Sequence, residues 1–162
     1  TPFIGLLYAG LILTDAGIKV IEFNARFGDP ETQVVLARLT SSLSELLMAA
    51  ASGRLESEPD PTFSTDTAVT VVLASEGYPE QPVTGRPLAG LDAAASVEGV
   101  HLAHAATAET IDGLVATGGR VLNVVAVGTD FAEARDRAYR ALSEITLEGS
   151  HHRTDIAARV AD

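Results

Sequence analysis

The stretch VIEFNARFGDPETQ, residues 20–33, alternates apolar and polar residues before it enters an acidic turn. Successive side chains of a β-strand point to opposite faces, so Glu22, Asn24 and Arg26 are expected to share one face. We expect the opposite face to pack against the protein, and it carries Ile21, Phe23, Ala25 and Phe27. The pattern therefore predicts a strand with one packed face and one polar face.

A partner strand and a helix flank this segment. Residues 6–13 (LLYAGLIL) and 18–26 (IKVIEFNAR) are separated by the turn-forming sequence TDAG, which predicts an antiparallel hairpin. On the other side, Asp29 is predicted to cap a helix, with Pro30 at its first position and Glu31 near the positive end of its dipole. Apolar residues three and four positions apart predict one continuous helix that stops at Gly53, and they are Val35, Leu39, Leu43, Leu46, Leu47 and Ala50.

The rest of the chain predicts a second, smaller unit. Residues 55–66 are rich in proline and acidic residues, as in a linker, so we place a boundary between residues 1–60 and 61–162. Strands are predicted at residues 67–74, 96–104, 110–116 and 120–127, with a loop at 76–87. A final helix is predicted to begin at Asp130, with Glu133 completing a capping box. Strands covered by one helix indicate the α+β class.

Composition limits the possible functions. The chain has 162 residues and a formal net charge of −11, and no cluster of Lys or Arg, which disfavours nucleic acid and anionic membranes as partners. It contains no cysteine and no apolar stretch approaching the roughly 20 residues of a membrane helix, so we expect a cytoplasmic protein. Because the chain does not begin with Met, we also expect it to be a fragment whose N-terminal part is missing.

The polar face of the strand has the chemistry of a metal site. Side chains two apart on a strand are separated by about 6.6 Å, so Glu22 and Asn24 could converge on one ion or on a bridged pair. Carboxylate and amide oxygens suit Mg²⁺, and Arg26 could donate two hydrogen bonds to a carboxylate or phosphate. The alternative is an ordinary solvated strand face, and helix capping alone would explain Asp29 and Glu31. The residue pattern leaves both interpretations open.

Several segments together carry a family resemblance. The run GLLYAGLILTDAGIKVIEFNARFGDPETQVVL, residues 5–36, resembles the C-terminal part of the ATP-grasp region of the phosphoribosylamine–glycine ligase family, also called glycinamide ribonucleotide synthetase. Four later segments resemble the small C-terminal domain of that family in the same order, namely VVLASEGYP (71–79), TGGRVLNVVAVG (117–128), EARDRAY (133–139) and HRTDIAAR (152–159).

The resemblance implies both a reaction and a set of site residues. It implies a ligase of de novo purine biosynthesis that uses ATP and Mg²⁺ or Mn²⁺ to join glycine to 5-phosphoribosylamine through a glycyl phosphate. Glu22 and Asn24 correspond to the metal ligands of the family. We assign Arg26 a catalytic contact with a substrate carboxylate or phosphate, and Asp29 and Glu31 the positioning of substrate. The resemblance places Thr1 well inside the full-length enzyme. The isolated chain is therefore expected to be inactive without the N-terminal part.

Other interpretations stay open at this point. A non-catalytic structural or dimerisation module could keep the same fold, and another ATP-grasp ligase or carboxylase could share the first half of the chain. ATP-grasp enzymes often add a carboxylate from the preceding strand, but residues 6–13 contain no acidic residue. A metal here would therefore depend on nucleotide oxygens and water.

Overall fold

The computed structural model describes residues 3–161. The chain divides into two compact units, the first ending at Ser64 and the second beginning at Thr65. Both units combine antiparallel strands with helices, which confirms the predicted α+β class. None of the helices among residues 3–161 is long and apolar enough to cross a membrane.

The first unit opens with the predicted hairpin. Strands β1 (Tyr8–Thr14) and β2 (Gly17–Asn24) pair antiparallel around a two-residue loop. At this turn the Thr14 hydroxyl donates a hydrogen bond of 2.8 Å to the Gly17 carbonyl. Gly17 has a φ of +93°, a conformation that residues with a side chain rarely adopt, so glycine suits the position.

A β-bulge interrupts the pairing of the hairpin. Gly10 lies opposite Glu22 and Leu11 lies opposite Val20, which leaves Ile21 as an extra residue on β2. Because of this extra residue, the β2 residues between the bulge and the turn lie on the opposite face from the one predicted by alternation counted from Glu22. The register places Lys19 opposite Ile12, on the same face as Gly10 and Glu22.

Two predictions about the second strand were wrong. The strand ends at Asn24, so Arg26 follows it in a bend and is not placed by strand alternation. The apolar face does not pack within this chain, since Ile21 is 66% exposed and Phe23 is 61% exposed. A two-stranded hairpin has no second layer of its own to cover such a face.

The predicted single helix is divided in two. Helix α1 (Glu31–Arg38) and helix α2 (Leu43–Ala51) are separated by a short polar break. The Thr40 amide donates to the Thr62 carbonyl at 2.9 Å, and the Thr62 amide donates to the Ser41 hydroxyl at 2.8 Å. Ser42 caps α2 by accepting from the Glu45 amide. These bonds replace helical ones, although the apolar spacing continues across the break.

The predicted stop of this helical region at Gly53 is confirmed. Gly53 has a φ of +67°, and its amide donates to the Ala50 carbonyl at 3.1 Å. The next amide, of Arg54, donates to the Ala49 carbonyl at 2.9 Å. This pair of bonds is the Schellman arrangement that ends helices at a glycine. A 3₁₀-helix follows at Leu55–Ser57.

The second unit is a three-stranded sheet with a covering helix. Its elements are β3 (Thr67–Ala74), α3 (Leu91–Ala95), β4 (Val100–His104), β5 (Thr107–Thr110), β6 (Gly113–Ala116), β7 (Arg120–Gly128), α4 (Phe131–Glu144) and a 3₁₀-helix at Ala158–Val160. The antiparallel sheet has the order β3-β7-β4, and β5 and β6 form a separate hairpin. The strands predicted at residues 67–74 and 120–127 are present. The strand predicted at 96–104 begins only at Val100, and the one predicted at 110–116 is wrong, because a turn at residues 111–112 separates β5 from β6. The short helix α3 was not predicted.

The hydrophobic core of the second unit lies between the sheet and α4. One face of the central strand β7 contributes Leu122, Val124 and Ala126, which are fully buried. The helix meets this core with small residues, and Ala134, Ala138 and Ala141 are likewise fully buried. Small side chains allow the helix backbone to approach the sheet closely, so this packing stabilises the unit without large side chains on the helix.

The predicted cap of α4 is present in a slightly altered form. The Asp130 carboxylate accepts from the Glu133 amide at 2.8 Å. The Glu133 carboxylate in turn accepts from the amide and the hydroxyl of Thr129, at 2.7 and 2.8 Å, and pairs with Arg137 at 2.9 Å. The hydrogen bonds from Thr129, with the nearby charge of Arg137, lower the pKa of Glu133 below its ordinary value.

We expect Glu133→Gln to lower the Tm of the chain by a few degrees at neutral pH. The folded pKa of Glu133 is depressed, so its contribution to stability is complete above the unfolded value of about 4.3 and is lost as the pH falls through the folded value. The difference in Tm from the unsubstituted chain should therefore shrink in acid. Thermal unfolding followed by circular dichroism at several pH values measures it, with Glu109→Gln, an exposed glutamate on β5, as the control. A difference that stays constant with pH would contradict the assignment.

Candidate functional site

The two predicted metal ligands lie on one face of the hairpin. Glu22 is paired with Gly10, and Asn24 is paired with Tyr8, two residues further along β1. Both pairs are on the same side of the bulge, so the two polar side chains project from the same face. The local alternation predicted from the sequence is thus preserved where the candidate ligands lie.

The donor atoms of this pair fit an oxygen-ligand metal site. Within residues 3–161, the Glu22 carboxylate accepts no hydrogen bond and forms no ion pair. The Asn24 side-chain amide nitrogen is buried and has no hydrogen-bond partner in the same part of the chain. This nitrogen is a hydrogen-bond donor, so it suits an acceptor oxygen of a bound group, whereas a metal ion would bind the Asn24 Oδ1 atom. Carboxylate and amide oxygens are hard ligands, which suit Mg²⁺.

The described residues do not form a complete metal site on their own. No group of three or more His, Cys, Asp or Glu within residues 3–161 is arranged to hold a metal ion. Mg²⁺ commonly keeps several waters and binds substrate phosphates, so two protein ligands are compatible with its coordination. The arrangement of Glu22 and Asn24 therefore suits a metal that is shared with a phosphate-bearing ligand.

Arg26 lies in the bend that follows β2. Its Nη1 atom donates to the neighbouring carbonyl of Phe27 at 2.8 Å, and the residue is exposed. Only one nitrogen of the guanidinium group takes part in this bond. The remaining N–H groups are available to bind a carboxylate or phosphate.

The acidic turn differs from its prediction. Helix α1 begins at Glu31, its N-cap position is Pro30, and no side chain caps it. Asp29 is therefore not the predicted N-cap residue. It lies one position too early, and its Oδ1 atom accepts from the side-chain amide of Gln33 at 3.1 Å. Glu31 is in the first turn, where the helix dipole favours a negative charge.

Tyr8 joins this site without having been predicted from the sequence. The nearby Glu31 carboxylate is the main reason that the pKa of Tyr8 is raised above its ordinary value. Partial burial and the negative charges of Glu31 and Glu22 raise this pKa further, whereas Arg26 lowers it. The structure thus places Glu22, Arg26 and Glu31 within electrostatic range of Tyr8.

Two features explain why sequence reasoning missed part of this face. Tyr8 is in an apolar stretch in which an aromatic residue is ordinary for a strand. Lys19, the only lysine of the chain, joins the face of Glu22 because of the bulge at Ile21. The nearest local signals are two buried glycines that lie beside the Tyr8 ring, Gly10 and Gly28.

The chain matches two family models. Residues 68–159 match the model described as phosphoribosylglycinamide synthetase, C domain. Residues 1–32 match the model described as phosphoribosylglycinamide synthetase, ATP-grasp (A) domain. The ATP-grasp match precedes the C-domain match along the chain. The C-domain match alone covers more than half of the chain.

Individual proteins show the same similarity. The phosphoribosylamine–glycine ligase of Leifsonia xyli is 69% identical over 161 residues, and that of Streptomyces coelicolor is 58% identical over 163 residues. The alignments cover 98% and 99% of this chain but only 39% of each relative. The chain therefore spans about two fifths of the length of these relatives.

Solved structures give a consistent result. The crystal structure of the phosphoribosylamine–glycine ligase of Thermotoga maritima superposes with a TM-score of 0.74 at 34% identity, over 92% of this chain and 36% of that one. The N5-carboxyaminoimidazole ribonucleotide synthetase of the same organism gives a TM-score of 0.62 at 23% identity, over 89% of this chain and 37% of that one, which shows a shared fold alone.

We expect Glu31→Gln to lower the pKa of Tyr8. The nearby carboxylate favours the neutral phenol, and glutamine removes its negative charge. Titration of the ¹³Cζ signal of Tyr8 by NMR measures the shift, and the signal is assigned by its loss in Tyr8→Phe. The matched control is Glu45→Gln, which neutralises a first-turn glutamate of α2 in the same unit. An unchanged Tyr8 pKa in Glu31→Gln would show that the two side chains do not interact in solution.

Proposed function

Because the chain belongs to the phosphoribosylglycinamide synthetase family, we propose that it is the C-terminal part of a phosphoribosylamine–glycine ligase. The proposed reaction uses ATP to join glycine and 5-phosphoribosylamine, and yields glycinamide ribonucleotide, ADP and phosphate. Residues 1–60 would contribute the end of the ATP-grasp region, and residues 61–162 the small C-terminal domain. The structural observation that carries this proposal is the shared face of Glu22 and Asn24, which places a carboxylate and an amide oxygen side by side.

Glu22 and Asn24 are proposed as the protein ligands of Mg²⁺ or Mn²⁺. A bound divalent cation would offset the negative charge of the terminal phosphates of ATP during phosphoryl transfer. This role matters because the chain carries a net charge of −11, which repels anions. The two side chains supply one carboxylate and one amide oxygen on a strand whose pairing holds them on a common face.

Arg26 is proposed to bind a substrate anion. Its free N–H groups could hold the carboxylate of glycine, or the phosphate that is transferred to it, in the orientation needed for reaction. In the proposed chemistry a glycine carboxylate oxygen attacks the terminal phosphorus of ATP and ADP leaves. The amine of phosphoribosylamine then attacks the carbonyl carbon of glycyl phosphate, phosphate leaves and the amine nitrogen loses a proton.

Asp29 and Glu31 are proposed to position the substrate. Both lie between the end of β2 and the first turn of α1, close in sequence to Arg26. Asp29 is already oriented by Gln33, and the Glu31 carboxylate lies beside Gly28 near the Tyr8 ring. A carboxylate has several lone pairs, so each of these side chains has capacity to accept hydrogen bonds from a substrate.

The rest of the ligase is the proposed partner of the hairpin. The curated relatives are much longer than this chain, and the hairpin carries a row of exposed apolar residues on the face opposite Glu22. These residues are Leu11, Leu13, Ile18, Val20 and Phe23. An exposed apolar face of this kind is typical of an interface, and we propose that the remaining lobe of the enzyme covers it. The cytoplasmic location stays a prediction from composition.

A non-catalytic module is the second candidate function. The exposed apolar face of the hairpin favours it, since a dimerisation or docking module needs such a face. The two candidates differ in what they require of Glu22 and Asn24. Only the ligase needs these two side chains for turnover.

We expect Glu22→Ala and Asn24→Ala each to reduce kcat of the full-length protein at least about 100-fold while the fold is kept. Each substitution removes a proposed metal ligand and little packing, because Glu22 is exposed and Asn24 is only partly buried. Formation of glycinamide ribonucleotide and ADP measures turnover, and circular dichroism measures folding. Asp15→Ala, at the loop of the same hairpin, is the control and should leave turnover unchanged. Full activity in both variants would instead favour the non-catalytic module.

We expect the isolated chain to have no ligase activity and no tight affinity for MgATP. It carries only two proposed metal ligands and spans only about two fifths of the length of its relatives. Turnover assays with glycine and phosphoribosylamine, together with isothermal titration of MgATP, test this expectation. The full-length enzyme serves as the positive control. Turnover or tight binding by the isolated chain would show that the site is complete within it.

A further inference from the structure

The side-chain amide of Gln33 is oriented by a neighbouring carboxylate. Gln33 is the third residue of α1, and its Nε2 atom donates to Asp29 Oδ1 at 3.1 Å. An ionised carboxylate only accepts hydrogen bonds, so this contact requires the nitrogen of the amide, and not its oxygen, to face Asp29. The Gln33 Oε1 atom is therefore turned away from Asp29.

This Gln33 oxygen has no hydrogen-bond donor in the described part of the chain. The Oε1 atom is buried and accepts no hydrogen bond from any residue between 3 and 161, although Gln33 as a whole is only partly buried. Buried amide oxygens are normally paired, because leaving one without a donor costs free energy. The structure thus presents an oriented acceptor that an N–H group of a bound molecule would satisfy.

A buried donor without a partner lies in the same unit. The Asn24 Nδ2 atom is buried and has no acceptor within residues 3–161. Tyr8 links the two amides, since it is paired with Asn24 across the hairpin and its Cδ2 atom would lie 3.0 Å from a Cβ atom on Gly28. Gly28 directly precedes Asp29, the carboxylate that orients Gln33. The unpaired donor and the unpaired acceptor therefore belong to the segments that carry the proposed site residues.

We propose that Gln33 is a substrate-binding residue of the ligase, and that its Oε1 atom accepts a hydrogen bond from the ammonium group of glycine. This inference rests on the proposed function. Glycine is a zwitterion at neutral pH, so its carboxylate needs donors and its ammonium group needs acceptors. Asn24 Nδ2 and Arg26 offer donors, and Gln33 Oε1 offers an acceptor. The negative charge of Asp29 beside the Gln33 amide also favours a cation there.

The chemistry of the two amine substrates assigns this acceptor to glycine. The amine of phosphoribosylamine attacks as a neutral nucleophile, and a nearby carboxylate would favour its protonated form, which cannot attack. The ammonium group of glycine takes no part in bond formation, so it can stay bound through both steps. Gln33 is therefore a determinant of glycine recognition, and its loss should weaken the binding of glycine more than that of ATP.

The test is Gln33→Met in the full-length ligase. Methionine has a similar length and no branch, but it has no oxygen acceptor. We expect the KM for glycine to rise about 10- to 100-fold, the range that corresponds to a lost hydrogen bond to a charged group, while the KM for ATP stays within about twofold. Initial rates with glycine and ATP varied in turn measure both constants. An unchanged KM for glycine, or an equal rise in both constants, would overturn the inference.

Gln81→Met is the matched control. It makes the same substitution at an exposed glutamine in a loop of the second unit. We expect this variant to keep the KM for glycine of the unsubstituted enzyme. A rise in the KM for glycine in both variants would show that the effect is not specific to Gln33, and it would overturn the proposed contact.

A double variant separates a direct contact from an effect through Asp29. Gln33→Met also removes the donor that orients the Asp29 carboxylate. If Gln33 binds glycine itself, Gln33→Met should raise the KM for glycine further when Asp29→Asn is already present. No further rise in the double variant would show that Gln33 acts only by orienting Asp29, and the contact with glycine would be overturned.

Gln33→Asn keeps the test decisive if Gln33→Met does not fold. It retains the amide but shortens the side chain by one methylene group, which withdraws the oxygen from its position. The KM for glycine should rise in this variant as well. A lower Tm with an unchanged KM for glycine would indicate that the Gln33 oxygen bonds to the remaining lobe of the enzyme, and it would overturn the inference.

Glu22→Ala/Asn24→Ala separates this inference from the function on which it rests. A fully active double variant would overturn the proposed ligase site. An inactive double variant, combined with an unchanged KM for glycine in Gln33→Met, would overturn only the role of Gln33.

Discussion

The register between β1 and β2 is the constraint on which the candidate site depends. It places Glu22 over Gly10 and Asn24 opposite Tyr8, so that two potential ligands and one aromatic ring share a face. A shift of one residue would move all of these side chains to the other face. The register is set by the tight turn at Gly17 and by the bulge at Ile21, and Gly10 leaves room for the side chains that lie over it.

The two units differ in how they are stabilised. The second unit has its own core, in which the central strand β7 packs against the alanine-rich face of α4. The hairpin of the first unit instead exposes large apolar side chains on the face opposite the candidate site. A two-stranded sheet gains little stability by itself, so this hairpin depends on further packing more strongly than the sheet of the second unit does. The difference agrees with relatives that are much longer than this chain.

Local chemistry explains which predictions of the fold were confirmed. The hairpin, the strand at residues 67–74 and the helix capped by Asp130 are specified by neighbouring residues, through alternation, turn-forming residues and capping. The single long helix was wrong because apolar spacing continues through the break, while Thr40 and Ser41 bond to Thr62, some twenty residues later. The short helix α3 escaped prediction because five residues carry too little periodic pattern.

The sequence by itself determined that Glu22 and Asn24 share a face, because strand alternation is a local property of the backbone. It also determined the oxygen chemistry of that face and the family resemblance that accompanies it. Only the tertiary structure decided that Tyr8 meets Glu31 beside Gly28 and that Lys19 joins the face of Glu22. These features arise where separate segments pair or pack closely, and a pairing register with a bulge cannot be derived from the alternation of one strand.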